Sequence, residues 1–162
     1  MNNIIKEITP LTQKDCFTVF TRVKKAFSFP LHFHEEYELN LIINAAGAKR
    51  IMGDSEELIG DIELVLVGPN LSHGWFTHHC STESITEITI HWHKDLFDEK
   101  FLRRNHMAMI REMLEHSARG ILFTKETAQT LVPRLQAIGQ FRAFEGMMEL
   151  MDILHELSAS EN

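Results

Sequence analysis

The sequence is poor in cysteine. Of its 162 residues only Cys16 and Cys80 carry thiols, and the pair matches no zinc-finger or redox spacing. A disulfide framework is therefore excluded as the source of stability. None is needed at this length, because about two-thirds of the unfolded chain's surface can be buried around one core. Cys16 lies among β-forming residues and reads as a small core or strand residue. Cys80 follows His78-His79, but adjacent residues of an extended segment point to opposite faces, so these three do not converge on one ion. Long apolar runs are missing as well: no stretch approaches the roughly 20 residues of a membrane span. The N-terminus, MNNIIKEITP, lacks the basic start and apolar stretch of a secretion signal, which makes a cytoplasmic protein the expectation. Nor is there an excess of positive charge. Lys and Arg total 16 against 23 Asp and Glu, a formal charge of −7, and the basic residues are scattered. A domain that grips phosphates needs a basic face, so direct nucleic-acid binding by this chain is not expected.

What is present divides into two parts. To about residue 93 the chain reads as short strands broken by turns: Cys16–Val23, Tyr37–Ile43, Ala48–Met52, Ser55–Ile59, the apolar run Leu64–Val67, and the alternating Ser84–Trp92. Gly53-Asp54 is a hairpin signal, and Gly60-Asp61 and Gly68-Pro69-Asn70 are turns. Many short strands at close spacing predict a sandwich or small barrel. After Trp92 the period becomes helical. Asp95–Leu102 predicts a short helix, and Asn105 a cap for His106–Arg119, with Met107, Ile110, Met113, Leu114 and Ser117 on one face and Gly120 as terminator. Ile121–Phe123 is an apolar link. Thr124 caps a helix carrying Leu131, Leu135 and Ile138, with Pro133 inside it as a potential kink. A last helix follows Gly139. The expected division is a barrel over 1–93 and a helical tail over 94–162.

The chemistry concentrates in Pro30–Glu38. His32, His34 and Glu38 share parity, so an extended chain places them on one face, and Asn40 continues that face. His73 lies just beyond an apolar strand. Imidazole and carboxylate are suitable ligands for zinc, nickel, iron or manganese. A divalent metal of this kind held by His32, His34, Glu38 and His73 is one reading. The other is a metal-free cluster whose members satisfy one another inside a ligand pocket.

His32-x-His34-x-x-x-Glu38, then Gly47, resembles the first cupin motif, with its leading glycine absent and its trailing one displaced. Gly60 through Pro69-x-x-x-His73 resembles the second, one residue short and without its internal glycine. The stretches FPLHFHEEYELNLII and GDIELVLVGPNLSHGW are similar to the amino-terminal sensor domain of AraC-type transcription regulators. HMAMIREMLEHSARGILFTKETAQTL resembles the segment that follows the barrel there. The resemblance implies a mainly β fold with an α tail: a cupin-like double-stranded β-helix, or jelly-roll barrel, followed by C-terminal helices. It implies His32, His34, Glu38 and His73 as the metal tetrad. It also implies a small-molecule effector, such as a sugar, bound in the barrel, and a homodimer formed through the helices. DNA would be bound only by a helix-turn-helix half that this chain lacks.

The effector site is expected at His32, His34, Glu38, Asn40, His73 and Trp75, Trp75 either covering the pocket mouth or packing in the core. Tyr37, of opposite parity, is expected outside the barrel. His91 and His93 oppose the apolar face Ile88, Ile90 and Trp92, and are expected at the surface or against the tail. Phe144, Met148, Met151 and Leu154 keep helical spacing and suit a dimer contact. Glu145, Glu149, Asp152 and Glu156 read as a solvated face. The leading expectation is a sensing domain with no catalytic residue. The alternative is a metal-dependent cupin enzyme, a dioxygenase or isomerase acting on a small oxygenated substrate.

Overall fold

A computed structural model of the chain describes residues 3–160 and Asn162. Met1 and Asn2 of the N-terminal stretch and Glu161 of the polar end lie outside the described residues. The strands are β1 (Ile5–Lys6), β2 (Phe17–Lys24), β3 (His32–Phe33), β4 (Tyr37–Ile43), β5 (Lys49–Met52), β6 (Ser55–Leu58), β7 (Ile62–Val67), β8 (His73–Phe76), β9 (Ile85–Trp92) and β10 (Ile121–Leu122). They form two five-stranded sheets, ordered β1-β3-β8-β5-β6 and β10-β7-β4-β9-β2. Pairing is antiparallel except between β1 and β3. The chain passes repeatedly from one sheet to the other, which is the topology of a jelly-roll barrel. Gly47 and Gly53 carry positive φ at the turns flanking β5, where a Cβ would be strained.

Four helices follow: α1 (Glu99–Leu102), α2 (Ala108–His116), α3 (Lys125–Ala137) and α4 (Ala143–Ser158). They cover the outer face of the second sheet. Period 2 then sorts its strands cleanly. Leu39, Leu41, Leu64, Leu66, Ile88, Ile90 and Trp92 face outward and share one core with Ile110, Leu114, Leu131, Leu135, Leu150, Ile153 and Leu154 of the helices. Alternate residues face the barrel interior, where Ile42, Val65, Val67, Trp75 and Ile85 form a second, smaller core. Tyr37 packs outside the barrel as its parity predicts, its ring stacked on Trp92 with centroids 5.4 Å apart.

Several sequence expectations need correction. Cys16 is exposed, just ahead of β2, because the strand's pairing with β9 begins at Phe17. The Asp95–Leu102 helix contracts to four residues, starting where Asp98 accepts the Phe101 N–H at 2.8 Å. Asn105 is not a cap: it opens a 3₁₀ turn, with Arg104 in the cap position and no side-chain cap. Thr124 does cap α3, accepting the Thr127 N–H, and α3 runs through Pro133. Ile121–Leu122 is a strand, pairing with β7. Leu154 is fully buried in the chain's own core and has no surface to offer a partner, whereas Phe144 and Met148 are exposed. Of the acidic residues of α4, Glu145 is exposed as expected, but the other three do not form a free face. Arg134 of α3 donates to Glu149 at 2.7 Å, Asp152 at 2.6 Å and Glu156 at 2.6 Å, clasping α3 to α4.

The barrel and the helices meet most tightly at Gly68. Its N–H donates to Ser117 O at 2.8 Å, and a Cβ built there would lie 2.5 Å from that same oxygen. Gly68→Ala must push the end of α2 off the barrel. The expected loss is about 1–3 kcal/mol of unfolding free energy, the usual cost of overpacking, measured by urea denaturation.

Candidate functional site

Two cross-strand pairs face each other inside the barrel. On one sheet His32 of β3 is registered with His73 of β8. On the other Glu38 of β4 is registered with His91 of β9. His34, just after β3, completes the group. All five are buried. Glu38 Oε2 is the hub: it lies 2.8 Å from His34 Nε2, 2.9 Å from His91 Nε2 and 3.3 Å from His73 Nε2. Donor atoms of His32, His34, Glu38 and His73 all lie within 4.8 Å of one another. The four residues expected as a tetrad are therefore together.

Hydrogen bonding sets the tautomers of three of these imidazoles. His32 Nδ1 donates to Pro30 O at 2.8 Å, His34 Nδ1 to Glu36 O at 3.1 Å, and His73 Nδ1 to Leu71 O at 2.7 Å. A carbonyl can only accept, so each Nδ1 carries the proton and each neutral ring turns an Nε2 lone pair toward the cluster. Against a carboxylate, such lone pairs need a proton or a metal cation between them. At His34 the direction of the pKa shift favours the proton. Burial alone would lower His34, but the hydrogen bond and charge of Glu38 outweigh it and raise the imidazole above its ordinary value. Burial alone would raise Glu38, but the charge of His73 and hydrogen bonds from His34, His73 and His91 hold the carboxyl well below the carboxylate range. His32 is pushed down to about 4 by burial and by His73.

A cavity of about 370 Å³ opens beside this cluster. Glu38, His32, Trp75 and His91 line it together with residues not foreseen: Glu7, Arg22, Lys24, Phe27, Phe29, Glu87 and Thr89. Along its wall Lys24 Nζ donates to Glu87 Oε1 at 2.6 Å, Asn40 Nδ2 to Glu87 Oε2 at 3.1 Å, and Thr89 Oγ1 to Asn40 Oδ1 at 2.7 Å. Asn40 thus faces the interior as expected. Trp75 is buried, and its indole N–H donates to Glu63 Oε2 at 2.8 Å. Glu63 also takes a hydrogen bond from Arg50, and both side chains are buried.

His91 overturns its sequence reading. The apolar face of β9 is not turned toward the barrel: it is the outer face, covered by helices, so the polar face Glu87, Thr89 and His91 is the interior one. Both faces of a covered sheet are dry, and hydrophobicity alone does not distinguish them. The Leu64–Val67 run, apolar on both parities, was the mark of this double burial. His93 lies beyond the strand, half-buried, and donates from Nε2 to Thr12 O at 2.8 Å. His78, His79 and Cys80 form no metal-capable group among the described residues.

No protein-family model matches the sequence, and no curated protein matches it. Solved structures do match in fold. ToxT from Vibrio cholerae strain SCE256, with an unsaturated fatty acid bound, superposes with a TM-score of 0.51 at 16% identity, over 88% of this chain and 52% of that one. ToxT from Vibrio cholerae O395, bound to (E)-4-(8-methylnaphthalen-1-yl)but-3-enoic acid, gives 0.53 at 13% identity, over 86% of this chain and 54% of that one. The chain therefore spans about half the length of the structures it resembles. At these identities the likeness establishes the fold: a cupin-like jelly-roll barrel with C-terminal helices.

The His32 shift yields a pH expectation for the metal-free protein. The unfolded imidazole takes up its proton near pH 6.5, the folded one only near pH 4. The unfolded state thus binds more protons in that window, and stability falls as pH drops through it. His34, with its raised value, contributes stability that is already present below pH 6.5, and Glu38, held low, adds further loss as pH falls through the ordinary carboxyl value of 4.5 and below. The melting temperature in chelator-treated buffer should decline from pH 6.5 to 4, and His32→Asn should flatten the decline.

Proposed function

We propose that this chain is the effector-sensing part of an AraC-type transcription regulator. The observation that carries the reading is a cavity lined by both polar and apolar groups, open at one side, in a barrel whose second sheet is covered on its outer face by helices, in a fold shared with ToxT. ToxT is a regulator of that type, and one of its solved structures holds an unsaturated fatty acid and another a naphthalenyl-substituted butenoic acid. The chemistry is recognition: a ligand that favours one arrangement of barrel and helices over another shifts the population. DNA is contacted through a segment outside this chain. The setting is cytoplasmic, and no helix among the described residues is long and apolar enough to cross a membrane.

A sugar suits the lining. Glu38, Glu87 and Thr89 offer acceptors for hydroxyl groups, and Phe27, Phe29 and Trp75 offer flat apolar faces. A carboxylic acid is the second reading, favoured by Arg22 and Lys24 on the cavity wall and by the ligands of ToxT. The site is His32, His34, Glu38, Asn40, His73 and Trp75, joined by Glu87, Thr89 and His91. Thermal-shift titration against panels of monosaccharides and unsaturated fatty acids tests the reading. A ligand at about a hundred times its Kd adds about 2.7 kcal/mol, raising the melting temperature by roughly 5–10 °C for a chain of this size. His34→Ala and Glu38→Ala should each abolish that shift, and unchanged affinity in both would show that the ligand lies elsewhere.

Three Nε2 lone pairs and one carboxylate, preset by carbonyl hydrogen bonds, also fit a divalent transition metal such as zinc, nickel, iron or manganese. His32, His34, Glu38 and His73 would hold it, and it would supply a Lewis-acidic anchor for an oxygen of the effector. The same cluster supports the metal-dependent enzyme reading. That reading ranks second, because the fold is shared with solved structures of ToxT, a regulator.

The helices provide the dimer contact, through exposed Phe144 and Met148 of α4 beside Phe141. Sedimentation should show a dimer in the wild type and a monomer in Met148→Asp. A monomeric wild type refutes this contact without touching the effector site.

A further inference from the structure

His91 has the opposite wiring to the other three histidines. Their Nδ1 atoms are each occupied by a carbonyl, which leaves Nε2 as a lone pair. His91 Nδ1 is buried and has no hydrogen-bond partner, while its Nε2 lies 2.9 Å from Glu38 Oε2. With no acceptor at Nδ1 and a carboxylate oxygen at Nε2, the proton belongs on Nε2, as N–H donating to Glu38. Position agrees with tautomer. His91 falls outside the four-residue group whose donor atoms lie within 4.8 Å of one another, and shares a second such group with Glu7 and His34, where His34 is the one member common to both; on β9 it is the registered cross-strand neighbour of Glu38.

We propose that His91 is a positioning residue of the metal centre: it holds the Glu38 carboxylate by an Nε2–H hydrogen bond and is not itself a ligand. This rests on the metal reading above. The carboxylate is the single acidic donor of the tetrad and sits on the sheet opposite His32 and His73. Without His91 its oxygen is oriented only by the histidines with which it would share the ion. A fixed carboxylate is ready to bind, whereas a loose one must be ordered at each binding event.

The test uses Zn²⁺ and Co²⁺ on the chelator-stripped chain, with calorimetric affinity and the visible Co²⁺ spectrum as readouts. His91→Leu fills the space without a donor, and should weaken Zn²⁺ binding about 10–100-fold while leaving the Co²⁺ bands at their wild-type positions. His91→Gln supplies an N–H to Glu38 and should recover most of the affinity. Should the leucine variant fail to fold, His91→Asn, whose shorter amide falls away from Glu38, takes its place, with the glutamine variant as its partner. Unchanged affinity in the loss variant overturns the assignment. A shifted Co²⁺ spectrum in both variants, with no recovery by glutamine, makes His91 a ligand and overturns it too. If the wild type binds neither ion, the metal reading falls with it, an outcome distinct from a bound metal indifferent to His91.

Discussion

A carboxylate is shut inside the barrel at Glu38, and an isolated charge there would cost several kcal/mol. Much of the local architecture answers that cost. β3 is only two residues long, yet it is held on one side by β1 and on the other by β8, and this sets His32 beside His73. The turn after β3 brings His34 to 2.8 Å from the same oxygen. The long antiparallel register of β4 with β9 puts His91 opposite. Backbone carbonyls at Pro30, Glu36 and Leu71 fix the orientation of three rings. The groups that make the charge tolerable are the groups that would make the site useful.

The helical layer explains why so polar an interior is affordable. With Leu39, Leu66, Ile90 and Trp92 buried under α2, α3 and α4, the second sheet draws its hydrophobic stabilisation from its outer face. The inner face is then free to carry Glu38, Asn40, Glu87, Thr89 and His91, provided each finds a partner. The same strands touch the cavity on one side and the helices on the other. That is the arrangement a sensor requires, since an occupant can act on the helices only through an element that contacts both.

Much of this was legible in the chain. Tyr37–Ile43 was bounded correctly, the hairpin at Gly53-Asp54 was legible in its dipeptide, and the α2 face in Ile110, Met113 and Leu114, with Met107 just ahead of the helix. The shared parity of His32, His34 and Glu38 brought them to one face, and His73 joined them. The short strands escaped: β1, β3, β8 and β10 have two to four residues each, too few for periodicity, and exist because a neighbouring strand offers hydrogen bonds. The cavity wall from Arg22, Lys24, Glu87 and Thr89 escaped as well, since it depends on how β2 and β9 pair.

Local pattern determined the longer elements and the shared face of His32, His34 and Glu38, because period and parity are properties of neighbouring residues; the jelly-roll expectation rested on the motif resemblance. Which face of β9 looks inward was a tertiary decision. Ile88, Ile90 and Trp92 would suit a barrel core as well as a helical cover, and only the docking of α2–α4 chose between them. That choice turned His91 toward Glu38. It also divided α4, burying Leu154 and leaving Phe144 exposed, because a helix's apolar stripe does not state which part its own chain will cover.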